Sequence, residues 1–183
     1  MTREEALAFL QKYLTHRNLI KHSLACEAIM GRLAQVFGED QAEWAMAGLL
    51  HDIDYELTKG EPEKHGLLGA QLLKEAGFSE AIVLAVRAHN EMTGYQPEGR
   101  MAKALWAVDP TSGFIVACVL VHPQKSIRNV DVAFLLSRFR EKGFARGAKR
   151  EQILSCKALG LPLEEFLGIA LGAMQEQAET LEL

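Results

Sequence analysis

Apolar residues recur at every third or fourth position through most of this chain, and that spacing limits the fold to packed amphipathic helices. Thr2 and Glu5 form a capping box that opens a first helix, which is predicted to reach about His16. The clearest stripe begins after the cap Asn18 and ends at Gly38. Its members are Leu19, His22, Cys26, Ile29, Leu33 and Phe37.

Several later stripes finish in a polar residue. Asp40 opens a helix whose stripe ends at His51, and Ser79 opens one whose stripe ends at His89. A further helix ends its stripe at Asp109. Polar groups are therefore predicted to lie at the inner ends of three helices.

The remaining segments also favour helices. His65 is predicted in the first turn of a helix that ends at Gly77, and Pro110 is expected to end the Asp109 helix. Residues Val116 to Val121 are β-branched enough for a strand, but no second strand is available to pair with it. Helices are predicted instead, both there and at Val130–Arg140, Arg150–Ala158 and Pro162–Glu179. The chain is predicted to be one all-α domain over residues 1–183.

Composition excludes several classes of protein. Apolar residues make up 49% and charged residues 24%, so disorder and low complexity are excluded. The net charge of −4 argues against binding to nucleic acid, which is not expected as a partner. Cys26, Cys118 and Cys156 form no CxxC pair and are predicted to be reduced thiols of a cytoplasmic protein. The acidic N-terminus and the eight-residue limit of the longest apolar run, Phe114–Val121, predict no signal peptide and no membrane partner.

Four histidines and two aspartates lie on or beside the apolar stripes. They are His22, His51, Asp52, His65, His89 and Asp109. One buried imidazole can be satisfied by one hydrogen bond, but six polar groups directed into one core would each cost several kcal/mol without a shared partner. Imidazole and carboxylate together suit Fe, Mn, Co, Ni or Zn, and the lack of thiolates disfavours a structural zinc site. The sequence therefore predicts one or two divalent transition-metal ions.

The order of these ligands resembles a known family. His22, the adjacent pair His51-Asp52 and the later Asp109, all on helices, are similar to the HD-domain superfamily of metal-dependent phosphohydrolases. The resemblance covers about residues 18–112, and it implies an HD-type helical bundle with a metal-binding core there and additional C-terminal helices over residues 113–183.

The resemblance also implies a role for each ligand. In members with two further histidines the aspartate of the doublet bridges two metals, which implies that role for Asp52. It implies two ligand groups: His22, His51 and Asp109 for one ion, and His65 and His89 for the other. Some branches carry a Lys three residues after the doublet, but Tyr55 holds that position here. Asp52 and Asp54 are the candidate catalytic residues. A carboxylate near the doublet, such as Asp54 or Glu56, could move protons or orient a ligand.

Positive charge is concentrated near the C-terminus. Residues 124–157 contain nine Lys and Arg against three acids, a local charge of +6. A solvated helical face is the ordinary explanation for such a run, and binding of the phosphates of a nucleotide or a nucleic-acid partner is the alternative. Lys125 and Arg128 are the candidate substrate contacts, because they lie closest in sequence to the Asp109 helix.

These features favour a cytoplasmic metal-dependent phosphohydrolase that cleaves a phosphate ester or anhydride. Metal binding lowers the pKa of a bound water from 15.7 toward about 7, and the hydroxide attacks phosphorus. A phosphorylated small molecule such as a nucleotide is the expected partner. Two alternatives stay open: a di-iron oxygenase of the HD fold, and a non-enzymatic module that binds a nucleotide or a protein partner. The oligomeric state, including a homo-oligomer, is also open.

Overall fold

The computed structural model describes all residues 1–183 and contains helices and turns but no β-strand, which confirms the all-α prediction. Ten α-helices follow one another: α1 (Arg3–Gln11), α2 (Arg17–Phe37), α3 (Gln41–Leu50), α4 (Leu67–Glu75), α5 (Glu80–Ala88), α6 (Gly99–Val121), α7 (Val132–Phe139), α8 (Arg150–Leu154), α9 (Leu163–Glu176) and α10 (Ala178–Leu181). Short 3-10 turns lie at Pro62–Lys64, Glu91–Thr93, Ile127–Asn129 and Ser155–Leu159.

Helix α6 lies at the centre of the molecule. Helices α2, α5, α8 and α9 pack against it, and its buried residues extend from Met101 to Val119. A single apolar core joins Ala6 in α1 to Leu181 in α10. The boundary expected between residues 112 and 113 falls within α6.

Pro110 does not end this helix, contrary to the prediction. It lies inside α6, where it removes one backbone N–H but leaves the helix continuous. Val108 before it and Thr111 and Ser112 after it are buried in the core, and this packing offsets the lost hydrogen bond. Asp109 therefore lies in the middle of a long core helix instead of at a helix end.

Capping residues set several helix ends. Thr2 and Glu5 form the predicted capping box, although α1 ends at Gln11 and does not reach His16. The side chains of Asp40 and Ser79 accept hydrogen bonds from Glu43 N and Ile82 N at the starts of α3 and α5.

Helix α2 begins one residue before Asn18, which does not cap it. The backbone N–H groups of Thr15 and His16 donate instead to Glu56 Oε1, at 3.1 and 2.8 Å. A carboxylate from the segment after α3 thus satisfies the N–H groups that precede α2. Because Glu56 lies 40 residues after His16, no local sequence pattern predicts this contact.

One helix meets the length and composition of a membrane span. Over an 18-residue window of Gly99–Val121 the mean hydropathy is 1.8, and 56% of that window is buried inside the fold. The core helix of a folded domain has the same properties. In the sequence, Asp109 and Pro110 interrupt the apolar residues of this helix, so the longest uninterrupted apolar run is Phe114–Val121.

Candidate metal centre

All six predicted ligands converge on one point of the structure. Five of them are placed by helices: His22 projects from α2, His51 caps the C-terminus of α3 and is followed by Asp52, His89 caps α5, and Asp109 lies within α6. Their ring nitrogens and carboxylate oxygens lie mostly 3 to 4 Å apart. We describe them as a first lobe of His22, His51 and Asp109 and a second lobe of His65 and His89.

The first lobe is the junction of three helices. His22 Nε2 lies 3.1 Å from His51 Nε2 and 3.2 Å from Asp109 Oδ1. His51 is fully buried, whereas the side chain of Asp109 is 30% exposed. The lobe therefore opens to solvent on the side of Asp109.

The second lobe faces the first across Asp52. His65 Nε2 lies 3.0 Å from His89 Nε2, and Asp52 Oδ1 lies 3.2 and 3.5 Å from these two nitrogens. The other oxygen, Asp52 Oδ2, lies 3.5 Å from His22 Nε2. Asp52 thus contacts both lobes, as a bridging ligand must.

His65 is not in the first turn of a helix, as the spacing predicted. It precedes α4, after the 3-10 turn Pro62–Lys64, with an extended backbone (φ −61°, ψ 129°). Gly66 follows with φ 87°, a conformation that favours glycine, and only then does α4 begin. The turn brings the imidazole back toward His89.

The Nδ1 atoms of the four rings bond away from the centre. His51 Nδ1 donates to Gly48 O at 2.8 Å, and His89 Nδ1 donates to Val86 O at 2.6 Å. Since a carbonyl can only accept, each of these Nδ1 atoms carries a proton, and a neutral ring then presents a lone pair at Nε2.

Side chains orient the other two rings. His65 Nδ1 donates to Asp54 Oδ1 at 2.9 Å. His22 Nδ1 lies 2.8 Å from Ser112 Oγ, whose hydroxyl donates to Asp109 O at 3.1 Å. Because the hydroxyl proton of Ser112 is used in that bond, Ser112 Oγ accepts the hydrogen bond from His22 Nδ1. Sequence reasoning missed Ser112, whose position three residues after Asp109 in a core helix is the only signal for it.

Asp54 holds His65 in place and does not line the cavity. Its fully buried carboxylate accepts from His65 Nδ1 and, through Oδ2, from the N–H groups of Gly66 and Gly69, both at 2.8 Å. A Cβ on Gly69 would lie 3.1 Å from Asp54 Oδ1. The carboxylate has no route to a substrate, so of its two predicted roles the geometry matches the orientation of a ligand.

The donor set fits a cation. With Nδ1 protonated, the Nε2 lone pairs of His22 and His51, and of His65 and His89, would face each other at about 3 Å. Without a cation, a proton must separate each pair. Burial opposes protonation, but Asp52 and Asp54 raise the pKa of His65 to about 10, while burial lowers the pKa of His51 to about 4. A divalent ion would replace these protons.

Both carboxylates are charged near neutral pH. Burial would raise the pKa of Asp52, but His51, His65 and His89 lower it well below its usual range. Burial likewise opposes ionisation of Asp109, and its hydrogen bond with His22 contributes most to a lowered pKa. The cluster supplies four imidazoles and two carboxylates, a set that suits Fe, Mn, Co, Ni or Zn.

A cavity of about 400 Å³ opens above the ligands. Besides the ligands, its lining includes Tyr55, Asn90 and Glu91, and also Gly147, Lys149 and Gln152 from the C-terminal segment. Lys149 is the one Lys or Arg in this lining. The cavity is within the usual size range for a small-molecule site.

Lys125 and Arg128, the expected substrate contacts, do not line this cavity. Helix α6 continues for twelve residues beyond Asp109, which at 1.5 Å per residue carries its end about 18 Å away. Arg128 instead pairs with Glu179 at 3.4 Å. Proximity in sequence misled because α6 does not stop at Pro110.

Curated relatives match about half of the chain. Ribonuclease Y of Lawsonia intracellularis is 35% identical over 97 residues, which cover 53% of this chain and 18% of that protein. Ribonuclease Y of Oleidesulfovibrio alaskensis is 34% identical over 104 residues, 56% of this chain and 20% of the relative. The chain thus spans about a fifth of the length of these relatives.

These relatives overturn one expectation. Net charge argued against nucleic acid as a partner, yet the names of the relatives specify an enzyme that acts on RNA. The overall charge of −4 misled because it averages over a local charge of +6 in residues 124–157. A local surface, and not the sum over the chain, decides contact with a polyanion.

The family model that matches the chain is the HD domain, over residues 19–119. The match contains all six clustered ligands and covers more than half of the chain. Its superfamily includes metal-dependent phosphohydrolases. This chain therefore belongs to the HD-domain family.

Proposed function

We propose that this chain is a metal-dependent phosphohydrolase that holds two divalent ions and cleaves a phosphate ester or anhydride with water. One observation carries the proposal: two lobes of ligands share Asp52 at the floor of an open cavity. Closely spaced metal pairs of this kind are used by phosphatases and nucleases.

Each group of residues would have its own role in such a reaction. The first lobe would hold one ion, the second lobe the other, and Asp52 would bridge them. When bound, such ions lower the pKa of a coordinated water from 15.7 toward about 7 and neutralise charge on phosphate oxygens. Lys149 is the one basic side chain in the cavity lining, and its ion pair with Glu91 would have to open for it to contact an anionic substrate.

Two substrate classes follow from different observations. The size of the cavity suits one nucleotide, whereas the names of the relatives favour a phosphodiester bond in RNA. Both are nucleotide phosphate esters, so one set of assays covers them.

The test is hydrolysis by purified protein loaded in turn with Mn, Co, Ni, Fe or Zn. Substrates are mononucleotides, short RNA and a generic phosphate ester. We expect turnover with at least one metal, and a loss of about 10³-fold or more in Asp52→Ala, because the ions contribute several kcal/mol to transition-state stabilisation.

A matched pair of histidine variants controls for nonspecific damage. His89→Ala removes a ligand and should lose activity, whereas His122→Ala removes a half-buried histidine outside the cluster and should retain it. No turnover under any metal would contradict the proposal.

The same preparations separate the two alternatives. Oxygen uptake with iron and no hydrolysis would favour the di-iron oxygenase, since hydrolysis needs no redox change at the metal. A melting temperature that falls on chelation, with no activity to lose, would favour a non-enzymatic module.

A further inference from the structure

A loop rich in basic residues borders the candidate metal centre. It connects α7 to α8 and comprises residues 140–149, which we call the basic loop. Its cations are Arg140, Lys142, Arg146 and Lys149, all exposed, and its one acid is Glu141. Glu141 is paired with Arg138, 2.7 Å away.

Most of these cations have no acidic partner. Lys149 pairs with Glu91, which also lines the cavity. Arg140, Lys142 and Arg146 take part in none of the ion pairs of the structure. The positive charge of the loop is therefore not neutralised by the acidic remainder of the chain, as it would be on an ordinary solvated face.

The basic loop is held in one conformation by Arg150. Its guanidinium donates to the carbonyls of Ala145, Ala148 and Phe144 at 3.1, 2.9 and 2.8 Å, and to that of Phe139 at 3.3 Å. It also stacks over the ring of Phe114, 4.8 Å from the centroid. A surface fixed in this way loses little entropy when it binds a ligand.

The C-terminal end of the basic loop forms part of the cavity wall. Gly147 and Lys149 line the cavity above Asp52, and the remaining cations lie on the same loop outside that lining. The cations therefore begin at the edge of the site and continue along the chain away from it. A ligand with one phosphate in the cavity would meet them with its further phosphates.

We propose that the basic loop binds the backbone phosphates of a single-stranded RNA whose scissile phosphate lies over Asp52. The inference deepens the proposed function and rests on it. A cavity of about 400 Å³ suits about one nucleotide, so the rest of the strand must lie outside it.

The direct test is binding of a fluorescent oligouridylate with hydrolysis-resistant phosphorothioate linkages to metal-loaded protein, followed by anisotropy at several salt concentrations. The variant Arg140→Gln/Lys142→Gln/Arg146→Gln should bind more weakly, with a slope of log affinity against log salt smaller by about 2, since three phosphate contacts are lost. The matched control Lys12→Gln/Lys74→Gln/Lys103→Gln removes three exposed lysines outside the cavity lining and should match the wild type.

Kinetics distinguish failure of this inference from failure of the proposed function. The loop variant should raise KM for oligouridylate severalfold and leave KM for a mononucleotide unchanged. Wild-type hydrolysis with equal oligonucleotide binding by the wild type and the loop variant would overturn the inference and leave the function. Binding that depends on the loop, with no hydrolysis of any phosphate ester, would overturn the function and support the loop as an RNA-binding surface. No binding of oligouridylate by the wild type would overturn the inference outright.

Discussion

The ligands of the two lobes of the metal centre are held in position in different ways. The first lobe is carried by α2, α3 and α6, and packing of these helices places its ligands. The second lobe relies on His65, which lies outside any helix and is held by the buried carboxylate of Asp54. Helix packing fixes one half of the site, and a single hydrogen-bonded side chain fixes much of the other.

The largest effect is expected where α2 and α3 touch. A Cβ on Gly48 would lie 2.5 Å from Cys26 O, a backbone atom that cannot rotate away. Gly48→Ala should therefore lower the free energy of unfolding by about 1–3 kcal/mol and separate His22 from His51. Chemical denaturation measures the loss.

Gly113→Ala is the matched control for Gly48→Ala. Gly113 lies inside α6 with no atom within 4 Å of the added Cβ, so the change should stabilise the protein by about 0.5–1 kcal/mol. Equal stability of the two variants would show that the approach of α2 to α3 does not depend on a glycine.

Asp54→Asn should weaken the second lobe selectively. The two carboxylate oxygens of Asp54 accept from His65 and from the N–H groups of Gly66 and Gly69. An amide has only one oxygen and no charge, so it cannot accept all three hydrogen bonds in this way. Loss of such a supporting group lowers metal affinity by about 10–100-fold. Calorimetric titration with Mn should show one weakened and one unchanged site, with Asp131→Asn at the start of α7 as control. Equal weakening of both sites would contradict the division into lobes.

Ser112→Ala should produce a smaller loss, confined to the first lobe. The change leaves His22 Nδ1 without its acceptor but keeps the packing of α2 and α6. One lost hydrogen bond contributes about 1 kcal/mol, so the affinity of the first site should fall about fivefold. The same titration measures it, and a loss at the second site instead would contradict the assignment.

The smallest effect concerns Glu56, which ties the start of α2 to the segment after Asp54. The hydrogen bond from the backbone N–H of His16 lowers the pKa of Glu56 below its ordinary 4.5. A pKa that is lower in the folded state stabilises the protein above pH 4.5, and this contribution is lost as the pH falls through the lowered value.

Glu56→Gln should therefore melt slightly below the wild type at neutral pH, and the two melting temperatures should converge under acid conditions. Thermal unfolding between pH 7 and 3 measures the difference. A gap that widened as the pH fell would contradict the role of this carboxylate.

Sequence patterns reached the parts of the site that depend on helical spacing. His22 was expected within an apolar stripe. His51, His89 and Asp109 were expected at the ends of such stripes, and the structure places all four side chains together. The predicted helix is present as α4, but the placement of His65 in its first turn was wrong, because a turn with a positive-φ glycine has no periodic signal.

Other features depend on contacts between distant segments. Pro110 suggested a helix end, because the hydrogen bond that a proline removes from a helix can be predicted from sequence. The burial of α6 that offsets this loss cannot. The same reasoning placed the expected substrate contacts at Lys125 and Arg128, whereas Lys149 is the basic residue that lines the cavity. Sequence spacing also does not predict the hydrogen bonds of Glu56 with the start of α2 or those of Arg150 with the basic loop.

The most direct test of two lobes that share Asp52 is the number of metal ions retained per chain, measured by elemental analysis after loading and gel filtration. The wild type should retain two ions, His65→Ala should retain one, and Asp52→Ala should retain fewer than His65→Ala. A wild type that retains no more metal than Asp52→Ala would contradict the account.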